Sequence, residues 1–238
     1  MTMKNIKTII ILLLISQIGF AQQIGEMDIE PNTLSAWNAS TTGEYQGVYQ
    51  FGFSEAESLL FVYFADGVYY AQIKWAIYAD ESEMSIKWTW ENIKNFKVVG
   101  NKFTSDKTNG EFLKYKDEGK STSAIKVSKS WTGVTRDGKY EVGLYNAEIC
   151  GYLNGKFSEG TCKLLRHEML KNYSFDDLKI LRNEIYARYG LTFKAGGEME
   201  KYFKAQTWYA AQYTNVDKFL TELEKKNIQL ILELEKLK

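Results

Sequence analysis

From Gly43 to Tyr145 apolar and polar positions alternate with a period of two, in short runs broken by turn residues. In residues 44–53, Tyr45, Tyr49, Phe51 and Phe53 fall on one side and Gln46 and Gln50 on the other, the pattern of a half-buried strand. Residues 59–64 are apolar on both faces and reach Asp66-Gly67, a hairpin signal. The chain then returns with Tyr69, Ala71, Ile73 and Trp75 sharing a face. Met84, Ile86, Trp88 and Trp90 alternate with Ser85, Lys87 and Thr89, and Phe96 and Val98 lead into the Gly100-Asn101 turn. Shorter runs follow at 112–115, at 124–127 and, after Asp137-Gly138, at 140–145. Short strands with tight turns and no crossover helices between them predict antiparallel pairing in a sandwich or a barrel.

From Ser174 the period becomes helical. Ser174 followed three residues later by Asp177 makes a capping-box pattern, and Leu178, Leu181, Ile185 and Tyr189 then form one stripe that Gly190 ends. A second, shorter helix holds Met199, Tyr202 and Phe203 after Gly196-Gly197. A third runs from about Val216, with Leu220, Leu223, Leu230, Ile231 and Leu234 inward. The predicted class is α+β in two domains, an antiparallel β-domain over 43–165 and a small three-helix domain over 166–238.

The N-terminus changes this picture. Lys4 and Lys7 precede an apolar run over 9–15, and Gly19-Phe20-Ala21 before Gln22 has the small residues of a cleavage site, so 1–21 is expected to be a signal peptide. No later run has the roughly 18 apolar residues needed to span a bilayer, so stable membrane insertion after cleavage is not expected. Residues 22–42, with the only proline, Pro31, show neither period and are expected to be a linker. Export places Cys150 and Cys162 in an oxidising compartment, where they would close a disulfide across a hairpin turning at Asn154-Gly155; the alternative is that both stay reduced. Thirty basic residues balance thirty acidic ones, which removes the long-range attraction that a nucleic-acid partner requires.

The tract Leu181-Arg-Asn-Glu-Ile-Tyr-Ala-Arg-Tyr-Gly190 resembles the signature of the YARHG domain family, named for Tyr-Ala-Arg-His-Gly. Phe193, Tyr202-Phe203, Trp208-Tyr209 and Glu224-Lys-Lys-Asn227-Ile228 follow in the family's order, and Tyr189 stands where the motif has His. The resemblance implies a small bacterial extracytoplasmic module and brings no activity with it. Read as residues, the motif set Arg182, Asn183, Glu184, Tyr186, Arg188 and Gly190 points to a structural role. Arg182 falls inside the apolar stripe, so its guanidinium needs buried acceptors, and Glu224 or Asn227 on the third helix could supply them. Glu184 and Arg188, four apart, read as a solvated helical pair. The alternative is that Arg182 and Arg188 bind an anionic glycan or a peptide carboxylate.

Catalytic constellations are sparse. His167 is the sole imidazole and lies in a connector; a disulfide would consume both thiols; Asp176 and Asp177 sit in a helix's first turn; Glu198 and Glu200 belong to an exposed helix face. One His and two Cys cannot complete a zinc tetrahedron, and no phosphate loop or nucleophile elbow occurs, so no metal and no cofactor is expected. Tyr69, Tyr70, Trp75, Trp88, Trp90 and Trp131 are either core or part of a ligand surface, and the first four are the better surface candidates. The function expected is a periplasmic or secreted binding or structural module without enzymatic activity, recognising an envelope glycan, peptide or protein. The alternatives are a barrel that carries a small ligand and a glycan hydrolase working through carboxylates.

Overall fold

The structure is a computed structural model that describes residues 29, 31–52, 58–80, 85–128 and 140–238. The expected signal peptide, Phe53, Met84, Trp131 and the Asp137-Gly138 turn lie outside the described residues.

The strands are β1 (Leu34–Ala36), β2 (Gly47–Phe51), β3 (Ser58–Ala65), β4 (Val68–Asp80), β5 (Ser85–Ile93), β6 (Lys97–Val99), β7 (Lys102–Thr104), β8 (Gly110–Asp117), β9 (Lys120–Val127) and β10 (Glu141–Ala147). They form one sheet in the order β5-β4-β3-β2-β10-β9-β8-β7-β6, with β1 alongside β8 and every pairing antiparallel. Because β10 returns to β2, the two ends of the sheet are consecutive strands. Among the described residues no pairing joins β5 to β6, so the sheet curls into a half-barrel rather than a sandwich or a closed barrel. Asp66 and Gly67 both take positive φ, 48° and 78°, which matches the twist of the β3–β4 hairpin they join.

The inner face of the curl is filled by aromatic and branched side chains, among them Tyr49, Phe51, Phe103 and Phe112, all almost wholly buried. The expected linker is built into this core from Pro31 onward. β1 pairs with β8, Trp37 packs edge-on to Tyr45 at 4.9 Å, and the Tyr45 hydroxyl donates to the Trp37 carbonyl at 2.7 Å. Three paired residues and one indole hold this arm, too little for a periodic signal.

The outer face of β2 and β3 is covered as well, which is why β3 is buried along six consecutive residues. Val48, Leu59, Phe61 and Tyr63 meet Ile149, Cys162 and Leu223 from the helical region, so sheet and helices share an apolar cluster. The segment expected as a clipped hairpin is helical instead: α1 (Ile149–Tyr152) and α2 (Glu159–Cys162) are joined by the Cys150–Cys162 disulfide, with Cα atoms 5.4 Å apart. The turn at Asn154-Gly155 survives, with Gly155 at φ 114°, but it connects helices.

Beyond it lie α3 (His167–Leu170), α4 (Phe175–Arg188), α5 (Glu198–Lys204), a 3-10 turn at Asp217–Phe219 and α6 (Glu222–Glu235). The expected capping box at Ser174 and Asp177 opens α4, and the final helix starts later than the apolar stripe suggests, because Thr221 and Glu224 form a second capping box. The edge strand β5 is covered from this side: the Trp88 amide donates to the Gln212 side chain at 3.2 Å, and the Tyr213 hydroxyl donates to the Trp88 carbonyl at 2.6 Å.

Candidate functional site

The signature residues sit where α4, α6 and the sheet meet. Helices α4 and α6 run antiparallel, which brings the end of one, Arg188 and Tyr189, beside the start of the other, Glu224. Arg188 pairs with Glu184, the side chains being 7% and 1% exposed, so the pair expected to be solvated is buried. The cover is the loop after α1: Glu184 accepts from the backbone amides of Lys156 and Phe157 at 3.0 and 2.9 Å, while Arg188 donates to the Asn154 carbonyl and the Thr161 hydroxyl. Gly190 is required in its place, because it has φ 75° and a Cβ there would lie 2.8 Å from the Ala210 carbonyl oxygen. Asn183 is buried and donates back to the Lys179 carbonyl, and Tyr186 packs partly buried against the helical core.

Arg182 is not the centre of this network. It is partly buried and donates to Glu235 at 3.0 Å, at the far end of α6, because the antiparallel register leaves it well short of Glu224. Asn227 is satisfied elsewhere: its oxygen accepts from the Leu165 amide at 2.8 Å, and its nitrogen donates to the carbonyls of Gly160 and Lys163. It fastens the disulfide-bearing segment to α6.

The Tyr189 hydroxyl lies 2.7 Å from Glu224 Oε2 and 3.1 Å from Gln72 Oε1. The Gln72 amide nitrogen donates to the Phe219 carbonyl at 2.6 Å and to Asn92 Oδ1 at 3.0 Å, which fixes its oxygen toward the tyrosine. One hydroxyl proton therefore faces two acceptors. A proton on Glu224 completes the chain, with Glu224 donating to Tyr189 and Tyr189 to Gln72. Burial pushes the Glu224 carboxyl above its ordinary value, in the same direction. Oε2 also accepts from the Thr221 amide and hydroxyl, whereas Oε1 is buried without a hydrogen-bond partner; the Thr161 hydroxyl is close enough to oppose the upward push of burial on the carboxyl.

Next to Gln72 on the same face of β4 stands Lys74, which sequence reasoning did not single out. Its ammonium lies 4.1 Å from the centre of the Trp88 ring and 5.7 Å from that of Trp90, and no carboxylate pairs with it among the described residues. Burial alone brings its pKa down to about 8. Lys74, Gln72, Arg188, Tyr189 and Glu224 line a small pocket of about 130 Å3 between sheet and helices, with Trp90 and Trp208 among its walls.

A larger cleft of about 810 Å3 opens where β5 ends, at the gap in the sheet. Tyr69, Tyr70, Trp75, Trp90, Phe96 and Phe219 line it, together with Lys94, Lys97, Lys218, Lys225, Glu91 and Glu222. Three of the four aromatic residues favoured as a ligand surface are brought here, Tyr69 and Trp75 from the inner face and Tyr70 from the outer. Trp88 is not; it sits under Lys74. Glu91 is paired with Lys107 and Glu222 with Lys225. Of the catalytic candidates, His167 is exposed at the start of α3, the cysteines are joined, Asp177 is held near pKa 2 by Lys156 and Ser174, and Glu198 pairs with Lys179.

Comparison with known proteins places the C-terminal part. Residues 162–236 match the model of the YARHG domain family, an extracytoplasmic-type domain of unknown function, and no family model matches the N-terminal part. No curated protein and no solved structure gives a match to the chain. No helix among the described residues is long and apolar enough to cross a membrane.

Proposed function

We propose that this protein is an exported, non-enzymatic binding module of the cell envelope, and that its ligand is an acidic envelope glycan held in the cleft beside β5. The observation that carries the reading is the composition of that cleft: aromatic rings form its walls and lysines its rim. Flat rings offer apolar area for the faces of sugar rings at small entropic cost. Lys94 and Lys97 have no carboxylate partner among the described residues, so they are available to acidic substituents. The extracytoplasmic character of the YARHG domain and the Cys150–Cys162 disulfide support export.

Two features argue against the alternatives. The inner face of the sheet is occupied by Tyr49, Phe51, Phe103 and Phe112, which leaves the described core without the lumen a carrier would use. In the cleft, both carboxylates already answer a lysine, which leaves neither poised as a general acid. The test is binding of the full chain to panels of acidic and neutral envelope polysaccharides, with Trp75→Ala and the double variant Lys94→Gln/Lys97→Gln. Acidic glycans should be retained, and each variant should weaken them at least tenfold while melting within a few degrees of the parent. Equal retention of neutral glycans, or binding indifferent to Trp75, rejects the reading.

A further inference from the structure

The small pocket between sheet and helices carries a second site that the cleft does not explain. Two of its groups, the half-buried Lys74 and the buried Glu224, are incompletely answered by the protein. Lys74 rests on indole faces with no carboxylate among the described residues, and Glu224, 0% exposed, lines the pocket beside Thr161 with its Oε1 making no hydrogen bond. A half-buried ammonium without an anion and a buried oxygen without a hydrogen bond each cost stability, and each is a recognition element for a ligand that completes it. The volume of about 130 Å3 limits that ligand to a very small molecule. A cavity of about 150 Å3 admits one of roughly six heavy atoms.

We propose that this pocket binds a small 2-hydroxycarboxylic acid, its carboxylate on the Lys74 ammonium and its hydroxyl donating to Glu224 Oε1. A carboxylate is the anion that fits one ammonium in so small a space. The donor is a neutral hydroxyl rather than an ammonium, because the hydrogen-bond chain through Tyr189 and Gln72 calls for a proton on Glu224, and a neutral acid gives a cation little to pair with. Trp90 and Trp208 supply apolar walls for the carbon atoms.

The test is calorimetric titration and thermal-shift measurement on the full chain with glycolate and with both enantiomers of lactate. Propionate has the size without the hydroxyl, and alanine has an ammonium in its place. Expected are saturable binding of glycolate or one lactate, at least tenfold tighter than propionate and than alanine, and loss of at least tenfold in Lys74→Met. Glu224→Leu, which removes the acceptor, should narrow the preference over propionate to less than threefold, whereas Glu224→Gln, which keeps an oxygen acceptor, should retain it. Far-UV circular dichroism checks that the variants fold, and Lys74→Gln replaces Lys74→Met if the latter does not. No saturable binding at tens of millimolar overturns the proposal. So does propionate binding as tightly as lactate, alanine binding more tightly than lactate, or affinity unchanged in the Lys74 variant.

Discussion

The Tyr189 hydroxyl sits 2.7 Å from Glu224 Oε2, joining the position where the family motif has a histidine to the capping residue of the final helix. The same hydroxyl reaches Gln72 on β4, so one side chain ties together α4, α6 and the sheet. Tyr189→Phe leaves a buried amide oxygen and a buried carboxyl oxygen short of a partner, which costs about 1–3 kcal/mol. Urea denaturation should show that loss in midpoint with an unchanged slope. Tyr189→His, which restores the motif and can still hydrogen-bond Glu224, should lose less than Tyr189→Phe.

Glu224 should make the protein less stable as pH rises. Burial raises its carboxyl above the ordinary value of 4.5, so the unfolded chain gives up this proton before the folded one does. The contribution is fully present below about pH 4.5 and fades as pH climbs through the folded value. Glu224→Gln removes the ionisation and keeps the shape. Its melting temperature relative to the parent should rise as pH climbs above 4.5, and a flat difference there would show that Glu224 is ionised in the fold.

How much of this was legible in the sequence follows from how local each signal is. The Asp66-Gly67 turn, the Ser174–Asp177 cap and the apolar stripe of α4 depend on neighbours in sequence, and the structure has all three. Gln72 and Lys74 alternate with Ile73 and Trp75 like the wet side of a half-buried strand, and part of what covers them, Tyr189 and Phe219 on Gln72, comes from more than a hundred residues away. The Glu184–Arg188 pair lies off the main apolar stripe, so its cover, the loop at 154–157, could not be seen from the helix alone. Asn154-Gly155 is a turn in either setting; amides that must reach Glu184 and a disulfide between short helices decided against a hairpin.

The two arginines of the signature should differ sharply. Arg188→Met leaves Glu184 buried without its charge partner, a loss of about 3–5 kcal/mol. Arg182→Met removes a partly exposed tie to Glu235 and should cost about 1 kcal/mol or less. Paired denaturation curves read the contrast, and equal losses would contradict the burial described for Arg188.

Reducing the disulfide should destabilise the fold without dismantling the sheet. Cys150 and Cys162 close a loop of 12 residues, worth about 3 kcal/mol in the chain-entropy description. In a chain of this size that is roughly 6–12 °C of melting temperature. The Cys150→Ala/Cys162→Ala variant should melt that much lower and be insensitive to added thiol. The parent should fall to the same value when reduced.

Lys74 provides the opposite pH dependence to Glu224 in a separate window. Its ammonium has an ordinary pKa of 10.5, brought down by burial to about 8. Between those values the unfolded chain holds a proton that the folded chain has released, so raising the pH stabilises the fold. Below about pH 8 the full penalty of burying the charge is present, of the order of 3 kcal/mol. Lys74→Met has no charge to bury and should melt higher than the parent at pH 7. Its advantage should shrink progressively between pH 8 and pH 10.5. Tyr69, raised to about 12, and the more deeply buried Tyr49, Tyr63 and Tyr189 oppose this trend by resisting ionisation in the fold. They do so in both proteins, so the difference between parent and variant isolates the lysine. A constant advantage up to pH 10.5 would mean that Lys74 keeps its proton in the folded state, and that indole faces alone stabilise the ammonium as well as water does.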